Sequence, residues 1–140
     1  MTSSAAPARS APSEYPAAAP DPASSTAAPV LDGDMIEQLR GILTAEMRAE
    51  LAGTFLVQVR ASVAELSGAI RGRDRAECTR IAHGLKGSSA TVGASRLQLL
   101  CARLERTGGA ERDPDAVEQQ VGELHAVSDE AMRAIDEALS

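Results

Sequence analysis

His83 stands between basic residues and glycines, in a run that contains Arg80, Gly84, Lys86 and Gly87. The two basic side chains lie about one helical turn before and after the histidine, and this spacing suits an anion better than a metal ion. Histidine titrates near neutral pH, so a nitrogen lone pair is available for nucleophilic attack. The residues therefore predict a phosphoryl group carried on His83, with Arg80 and Lys86 supporting its charge.

The stretch around His83 is predicted to be a helix that points the imidazole away from the core. Six positions recur at helical intervals and form one arc: Cys78, Ile81, Ala82, Leu85, Ser89 and Val92. At about 100° per residue, His83 lies roughly 150° from the middle of that arc. Burial in the core therefore does not explain this histidine.

Two glycines in the same helix, Gly84 and Gly87, each cost about 1 kcal/mol relative to alanine. We interpret them as clearance for an approaching partner, and close packing between helices is the alternative. Gly87 and Ala90 share the outward face with His83, and Ser88 lies near an edge of the buried arc. The predicted docking residues are thus Gly84, Gly87, Ser88 and Ala90.

Capping and apolar patterns predict five helices. Starts are expected at Asp34 with Glu37, at Ala45, at Asp74 with Glu77, at Ser95 with Gln98, and at Asp113 with Pro114. Gly72 is expected to end the second helix, near Arg71, in a left-handed conformation, and Gly93 and Gly108 to end the third and fourth. Ile42 and Met47 are predicted to belong to the apolar stripes of the first two helices.

These elements predict an all-α fold, namely an antiparallel up-down four-helix bundle with a short extra N-terminal helix. No stretch alternates with the period of a strand. The first 29 residues hold ten Ala, six Pro and six Ser and have little to bury. We therefore expect residues 1–30 to be a disordered tail and residues 31–140 to form the helical domain.

Composition argues against several classes of partner. The net charge is −6 without a basic run, and one Phe, one Tyr and no Trp offer no stacking platform, so nucleic acid is not expected. No apolar run has membrane-spanning length, and the N-terminus lacks a signal-peptide pattern. Two cysteines are too few for a disulfide framework. We expect a cytoplasmic monomer that binds no membrane.

The run from Ala82 to Ser89 resembles the motif of histidine-containing phosphotransfer (Hpt) domains. The likeness extends over residues 32–140 and includes Leu51, Phe55, Val92-Gly93-Ala94, Leu97, Cys101 and Leu104-Glu105. Gly84 is smaller than the polar residue more usual at that position.

The resemblance implies a phosphoryl carrier of a two-component phosphorelay. His83 would accept the group from receiver-domain aspartates and donate it to them, Lys86 would favour the phosphorylated form, and Gly87 would give access. Response-regulator receiver domains and a hybrid histidine kinase would be the partners. No cofactor is implied in this chain, because the partner's aspartates would hold Mg²⁺, and no acidic cluster is expected beside His83. The protein would not be a kinase.

Three alternative interpretations of the sequence remain. A sensor-kinase dimerisation helix also presents a histidine, but Gly84 stands where that class has an acidic residue, and no ATP-binding pattern follows. A zinc site would use Cys78, His83, Cys101 and His125, although the first two lie about 140° apart on their helix. A scaffold without chemistry would tolerate His83→Gln. We interpret His125 as a surface or boundary residue.

Overall fold

The computed structural model describes residues 28–140, and this part of the chain is helical and contains no strand. The helices are α1 (Gly33–Ile42), α2 (Ala45–Arg71), α3 (Arg75–Val92), α4 (Ser95–Thr107) and α5 (Pro114–Leu139). The prediction of an all-α fold is confirmed. The expected tail falls mostly on residues 1–27, which lie outside the described residues.

Three of the predicted helix starts agree with the structure. Asp74 caps α3 by accepting a hydrogen bond from the Glu77 N–H at 3.2 Å. Asp113 caps α5 ahead of Pro114, whose missing N–H needs no partner in the first turn. The long second helix begins at Ala45, as predicted.

Two predicted capping boxes are wrong. Asp32, and not Asp34, caps α1 and accepts hydrogen bonds from the backbone N–H groups of Asp34 and Met35 at 3.1 and 3.2 Å. Asp34 instead lies in the first turn, where its carboxylate interacts favourably with the positive end of the helix dipole. Ser95 is already the first residue of α4, and the capping position belongs to Ala94, which is fully buried and has no polar side chain.

The helix ends follow the glycines with one correction. Gly93 and Gly108 are left-handed, with φ of 79° and 64°, and end α3 and α4. Gly72 is not left-handed, since its φ is −82°, and the residue with positive φ is Arg73, at 57°. The Asp74 N–H donates to the carbonyl of Ala69 at 3.0 Å, which places the left-handed residue one position after Gly72.

The core lies among the four long helices. All six positions of the predicted arc on α3 are buried. Phe55, Leu66, Leu97 and Leu124 complete the core from the other three helices and are almost inaccessible. The predicted burial of Ile42 and Met47 is wrong, because both lie at the α1–α2 connection beyond the core, with exposures of 76% and 48%.

Contacts between helices form a ring. α3 packs on α2 and α4, and α5 packs on α2 and α4. Cross-helix pairs include Ser67 with His125, Arg71 with Glu118, and Arg96 with Glu130. α1 touches α2, α3 and α5, and the Arg40 guanidinium donates to the Ala138 carbonyl at 3.2 Å.

Residues at the start of the described chain pack beside α4. The Arg96 guanidinium donates to the Ala28 carbonyl at 2.9 Å, and its backbone N–H donates to the Val30 carbonyl at 3.4 Å. These contacts hold the entry to α1 against the start of α4. Within residues 28–140, no helix has the length and apolar character needed to cross a membrane.

Candidate functional site

His83 projects from α3 with 70% of its side chain exposed, on the face opposite the buried arc. Its Nδ1 lies 2.7 Å from Oε2 of Glu105 on α4. An ionised carboxylate only accepts hydrogen bonds, so Nδ1 carries the proton and donates. The lone pair of the neutral ring is then on Nε2. The contact with Glu105 thus determines which ring nitrogen keeps a lone pair.

Glu105 also binds Lys86, whose Nζ lies 2.6 Å from the other carboxylate oxygen, Oε1. The Lys86 ammonium and then the His83 ring hold the pKa of the Glu105 carboxyl below its usual range, since both favour the charged form. The carboxylate is therefore ionised at neutral pH. One α4 side chain thereby holds both His83 and Lys86 of α3.

The role of Glu105 was not predicted from the sequence. The resemblance included this residue but assigned it no function, and no acidic cluster was expected beside His83. In the structure, the carboxylate of Glu105 contacts His83 from 22 positions further along the chain. The sequence contains little indication of this contact, because only the packing of α3 on α4 makes His83 and Glu105 neighbours.

Arg80 is paired elsewhere. Its Nε and Nη2 donate to the two carboxylate oxygens of Glu77 at 2.9 and 2.6 Å, within the same helix. This contact lowers the pKa of the Glu77 carboxyl. The charge support assigned to Arg80 therefore stays a prediction, and the geometry favours Lys86 for that task.

An open groove of about 560 Å³ runs along His83 between α2 and α3. Its lining comes from His83, Gly84, Gly87, Ser88, Thr91 and Val92 of α3 and from Leu51, Thr54, Phe55 and Gln58 of α2. Of the predicted docking residues, Gly84, Gly87 and Ser88 line it, whereas Ala90 is half-buried and does not.

The α2 side of this groove includes two polar residues that the sequence analysis missed, Thr54 and Gln58. Their spacing from Leu51 and Phe55 places all four residues on one helical face. Helical periodicity is therefore the feature of the sequence from which they could have been predicted. Both polar side chains are exposed. The groove therefore combines an apolar floor with polar groups at its edge.

The glycines leave this surface open without being needed for helix packing. A Cβ added at Gly84 or at Gly87 would meet no atom within 4 Å. The alternative that these glycines permit close helix contact within the bundle therefore fails. Nearby hydroxyls are occupied, since Ser88 donates to the Gly84 carbonyl and Thr91 to the Gly87 carbonyl, at 3.3 and 3.0 Å.

The four residues of the considered zinc site do not come together. His125 lies on α5, is exposed, and pairs with the Ser67 hydroxyl of α2 at 3.1 Å. Both cysteines are buried and free, and burial raises the pKa of the Cys101 thiol to about 12. Among residues 28–140, no three His, Cys, Asp or Glu side chains converge in a way that could hold a metal ion.

The fold and this site define a helical domain that presents an exposed histidine. Residues 50–138 match the family described as Hpt domain, and the chain belongs to this family. Family membership gives it a phosphotransfer role in phosphorelays, as a phosphocarrier and not as a kinase. Response-regulator receiver domains and histidine kinases are the corresponding class of partner.

A solved structure similar to this chain is that of histidine-containing phosphotransfer protein B (HptB) from Pseudomonas aeruginosa PAO1. The two are 26% identical with a TM-score of 0.61, and the match covers 79% of this chain and 97% of the other. Comparison with curated proteins gave no match.

Proposed function

We propose that His83 is the phosphoryl-carrying residue of this Hpt protein, accepting the group from an aspartyl phosphate of one receiver domain and passing it to another. The observation that carries the proposal is the 2.7 Å contact between His83 Nδ1 and Glu105. It leaves the Nε2 lone pair free on a ring that is largely exposed. A docked partner can therefore reach the nucleophilic nitrogen.

The chemical step is an in-line displacement at phosphorus. The Nε2 lone pair of His83 forms the N–P bond while the bond from phosphorus to the aspartate oxygen breaks, and the aspartate leaves as a carboxylate. The proton on Nδ1 stays there, and Glu105 stabilises the positive charge that develops on the ring. The reverse displacement returns the phosphoryl group to a receiver aspartate.

Lys86 is the cation placed to support the phosphoryl group. Its ammonium lies 2.6 Å from Glu105, next to His83. The three phosphoryl oxygens add negative charge on the side of the ring away from Glu105. We infer that Lys86 then shares its hydrogen bonds between the carboxylate and the phosphoryl group, which lowers the free energy of the adduct.

Docking of the receiver domain is assigned to the groove between α2 and α3. Gly84 and Gly87 leave space beside His83 because they carry no side chain, and the half-buried Leu51 supplies apolar surface. Mg²⁺ belongs to the receiver domain in this proposal, and this chain needs no cofactor. Catalysis then consists of positioning and charge neutralisation.

The proposal includes an antiparallel up-down arrangement of α2 to α5. Cross-helix pairs support it, because Ser67 and Arg71 ascend α2 while their partners His125 and Glu118 descend α5. The short connections between successive helices support it as well. The cytoplasmic location and the monomeric state expected from composition remain predictions.

Transfer of radiolabelled phosphoryl groups from a panel of phosphorylated receiver domains tests the proposal. We expect acid-labile label on the wild-type protein and on His125→Gln, and none on His83→Gln. His125 is the matched control, since it is the other exposed histidine of the described chain. Label retained by His83→Gln would disprove the assignment. Absence of label on any form, with normal partner binding, would favour a scaffold.

A further inference from the structure

A second groove, lined by arginines, lies away from His83 and has no part in the proposed phosphotransfer. It has a volume of about 450 Å³ and is formed by the α2–α3 turn, the start of α3 and the α4–α5 connection. Its lining residues are Arg73, Arg75, Gly109, Ala110, Glu111 and Arg112. Three arginines and one glutamate thus line the groove, in a chain whose net charge is −6.

The arginines are held by backbone carbonyls and not by acidic partners. Arg73 Nη2 donates to the Arg112 carbonyl at 2.7 Å, and Arg75 Nη2 donates to the Thr107 carbonyl at 3.3 Å. Neither contact neutralises a guanidinium charge. Within residues 28–140, the Arg112 side chain has no ion pair or hydrogen bond.

Two neighbouring carboxylates serve as helix caps and form no ion pair with these arginines in the described structure. Asp74 accepts from the Glu77 N–H at 3.2 Å, and Asp113 accepts from the Asp115 N–H at 3.4 Å, each as a helix cap. Glu111 lines the groove but forms no ion pair with Arg73, Arg75 or Arg112 in the described structure. These caps leave Asp74 and Asp113 charged, but neither residue lines the groove, whose own lining carries three arginines and one carboxylate, that of Glu111.

The backbone at this groove is strained at Arg73. Arg73 is the one non-glycine residue of the described chain with positive φ, 57°. A left-handed conformation costs a side-chain-bearing residue about 1 kcal/mol or more, and glycine would avoid the cost. Gly109, with φ of 67°, forms the facing part of the lining. The protein thus keeps an arginine at a turn position that favours glycine.

We propose that this groove binds a small phosphate-bearing anion through Arg73, Arg75 and Arg112. Guanidinium groups bind phosphate oxygens in pairs of parallel hydrogen bonds, and several arginines lining one groove favour a polyphosphate over a single carboxylate. The volume lies in the range of small-molecule sites. The two grooves share no lining residue, and Arg75 precedes His83 by eight residues, about 12 Å along α3.

Titration of the full chain with Mg²⁺-free ATP, and in parallel with inorganic tripolyphosphate, tests the site at about 0.1 M salt, where weak surface attraction is screened. We expect saturable binding in calorimetry and shifts of the Gly109 and Ala110 amide NMR signals. Equal affinity for both probes assigns recognition to the phosphates, and tighter binding of ATP adds a contact to the nucleoside.

The variants are Arg73→Gly, which suits the positive φ, and Arg112→Gln, which removes a guanidinium group that has no partner among residues 28–140. Each is expected to weaken binding about tenfold, because each removes a charged hydrogen-bonding group. Arg133→Gln, an exposed arginine near the end of α5, makes the same charge change as Arg112→Gln and is expected to bind normally.

The inference fails if neither probe saturates, if Arg112→Gln binds as tightly as Arg133→Gln, or if a polyglutamate peptide binds these arginines and neither phosphate probe displaces it. Phosphoryl transfer to His83 is expected to continue in Arg73→Gly and Arg112→Gln. Its loss in these folded variants would show that the two grooves are not independent, which also contradicts the inference. Failure of transfer in the wild-type protein would instead concern the proposed function alone.

Discussion

Glu105 on α4 accepts a hydrogen bond from His83 on α3 over 2.7 Å, and the same carboxylate binds Lys86 over 2.6 Å. A single acidic side chain thus sets the tautomer of the histidine and the position of the neighbouring ammonium group. The proposed chemistry depends on both effects, because the nucleophile is Nε2 and the developing negative charge lies next to Lys86.

Replacing Glu105 with glutamine is expected to slow phosphoryl transfer about tenfold, since a charged hydrogen bond is lost. The amide can also donate to Nδ1 and so favour the tautomer that lacks an Nε2 lone pair. Initial rates of label transfer measure the effect, and ¹⁵N shifts of the His83 ring report the tautomer.

Glu118→Gln is the matched control, because it removes an equal charge from an ion pair with Arg71 far from His83. It is expected to transfer at the wild-type rate. A wild-type ring protonated on Nε2 and not on Nδ1 above neutral pH would refute the mechanism proposed for Glu105.

Replacing Lys86 with methionine is expected to shorten the lifetime of the phosphorylated protein while the fold is retained. The aliphatic stem still packs, and the lost ion pair is partly exposed, so its contribution to stability is small. Hydrolysis of purified phosphoprotein and the thermal midpoint measure the two effects. Global unfolding of the variant would show that Lys86 is structural.

The lowered pKa of the Glu105 carboxyl predicts how the stability of the protein depends on pH. The pKa of its carboxyl is lowered in the folded protein, first by Lys86 and then by His83. Its contribution to stability is therefore present above the pKa of the unfolded chain and is lost as the pH falls through the folded pKa. Carboxyl ¹³C NMR should give a midpoint below that of a free glutamate.

In Lys86→Met, the carboxyl midpoint of Glu105 is expected to rise towards the usual value, because the largest cause of the shift has been removed. Arg80→Gln leaves the same midpoint unchanged, since Arg80 binds Glu77. A midpoint that Lys86→Met does not move would contradict the Lys86–Glu105 contact in solution.

Replacing Gly87 separates folding from docking. Gly87→Ala is expected to raise the free energy of unfolding by about 0.5–1 kcal/mol, because a Cβ meets no atom and the unfolded chain loses freedom. Gly87→Leu is expected to fold but to receive the phosphoryl group much more slowly, since its side chain enters the groove beside His83.

Gly122 on α5 is the control, as it is equally open and lies outside that groove. Gly122→Leu should transfer at the wild-type rate with a similar change in the denaturation midpoint. Equal transfer by both leucine variants would exclude the groove between α2 and α3 as the docking surface.

Replacing Arg80 with glutamine is expected to change the transfer rate by less than about threefold, since an exposed ion pair with Glu77 contributes little. The same receiver-domain assay measures it. A loss as large as that of Lys86→Met would instead restore the direct charge support that the residue spacing suggested.

The sequence determined the helices, the buried arc of α3 and the exposure of His83, because helical periodicity and glycine or aspartate at helix ends act over a few residues. It did not determine which of two neighbouring residues occupies a helix end. Asp32, and not Asp34, caps α1, and Arg73, and not Gly72, has the left-handed conformation after α2. Those choices depend on which backbone groups the surrounding turns leave unpaired.

Only the tertiary structure placed Glu105 beside His83 and gathered the arginines of two distant connections into one groove. Both arrangements arise from the packing of α3 on α4, which sets which turns of the two helices meet. Local periodicity shows which face of a helix is outward, but it does not show what a neighbouring helix brings to that face. For this protein, the exposed histidine proposed as the phosphoryl carrier is therefore predictable from the sequence, whereas the carboxylate that binds it is not.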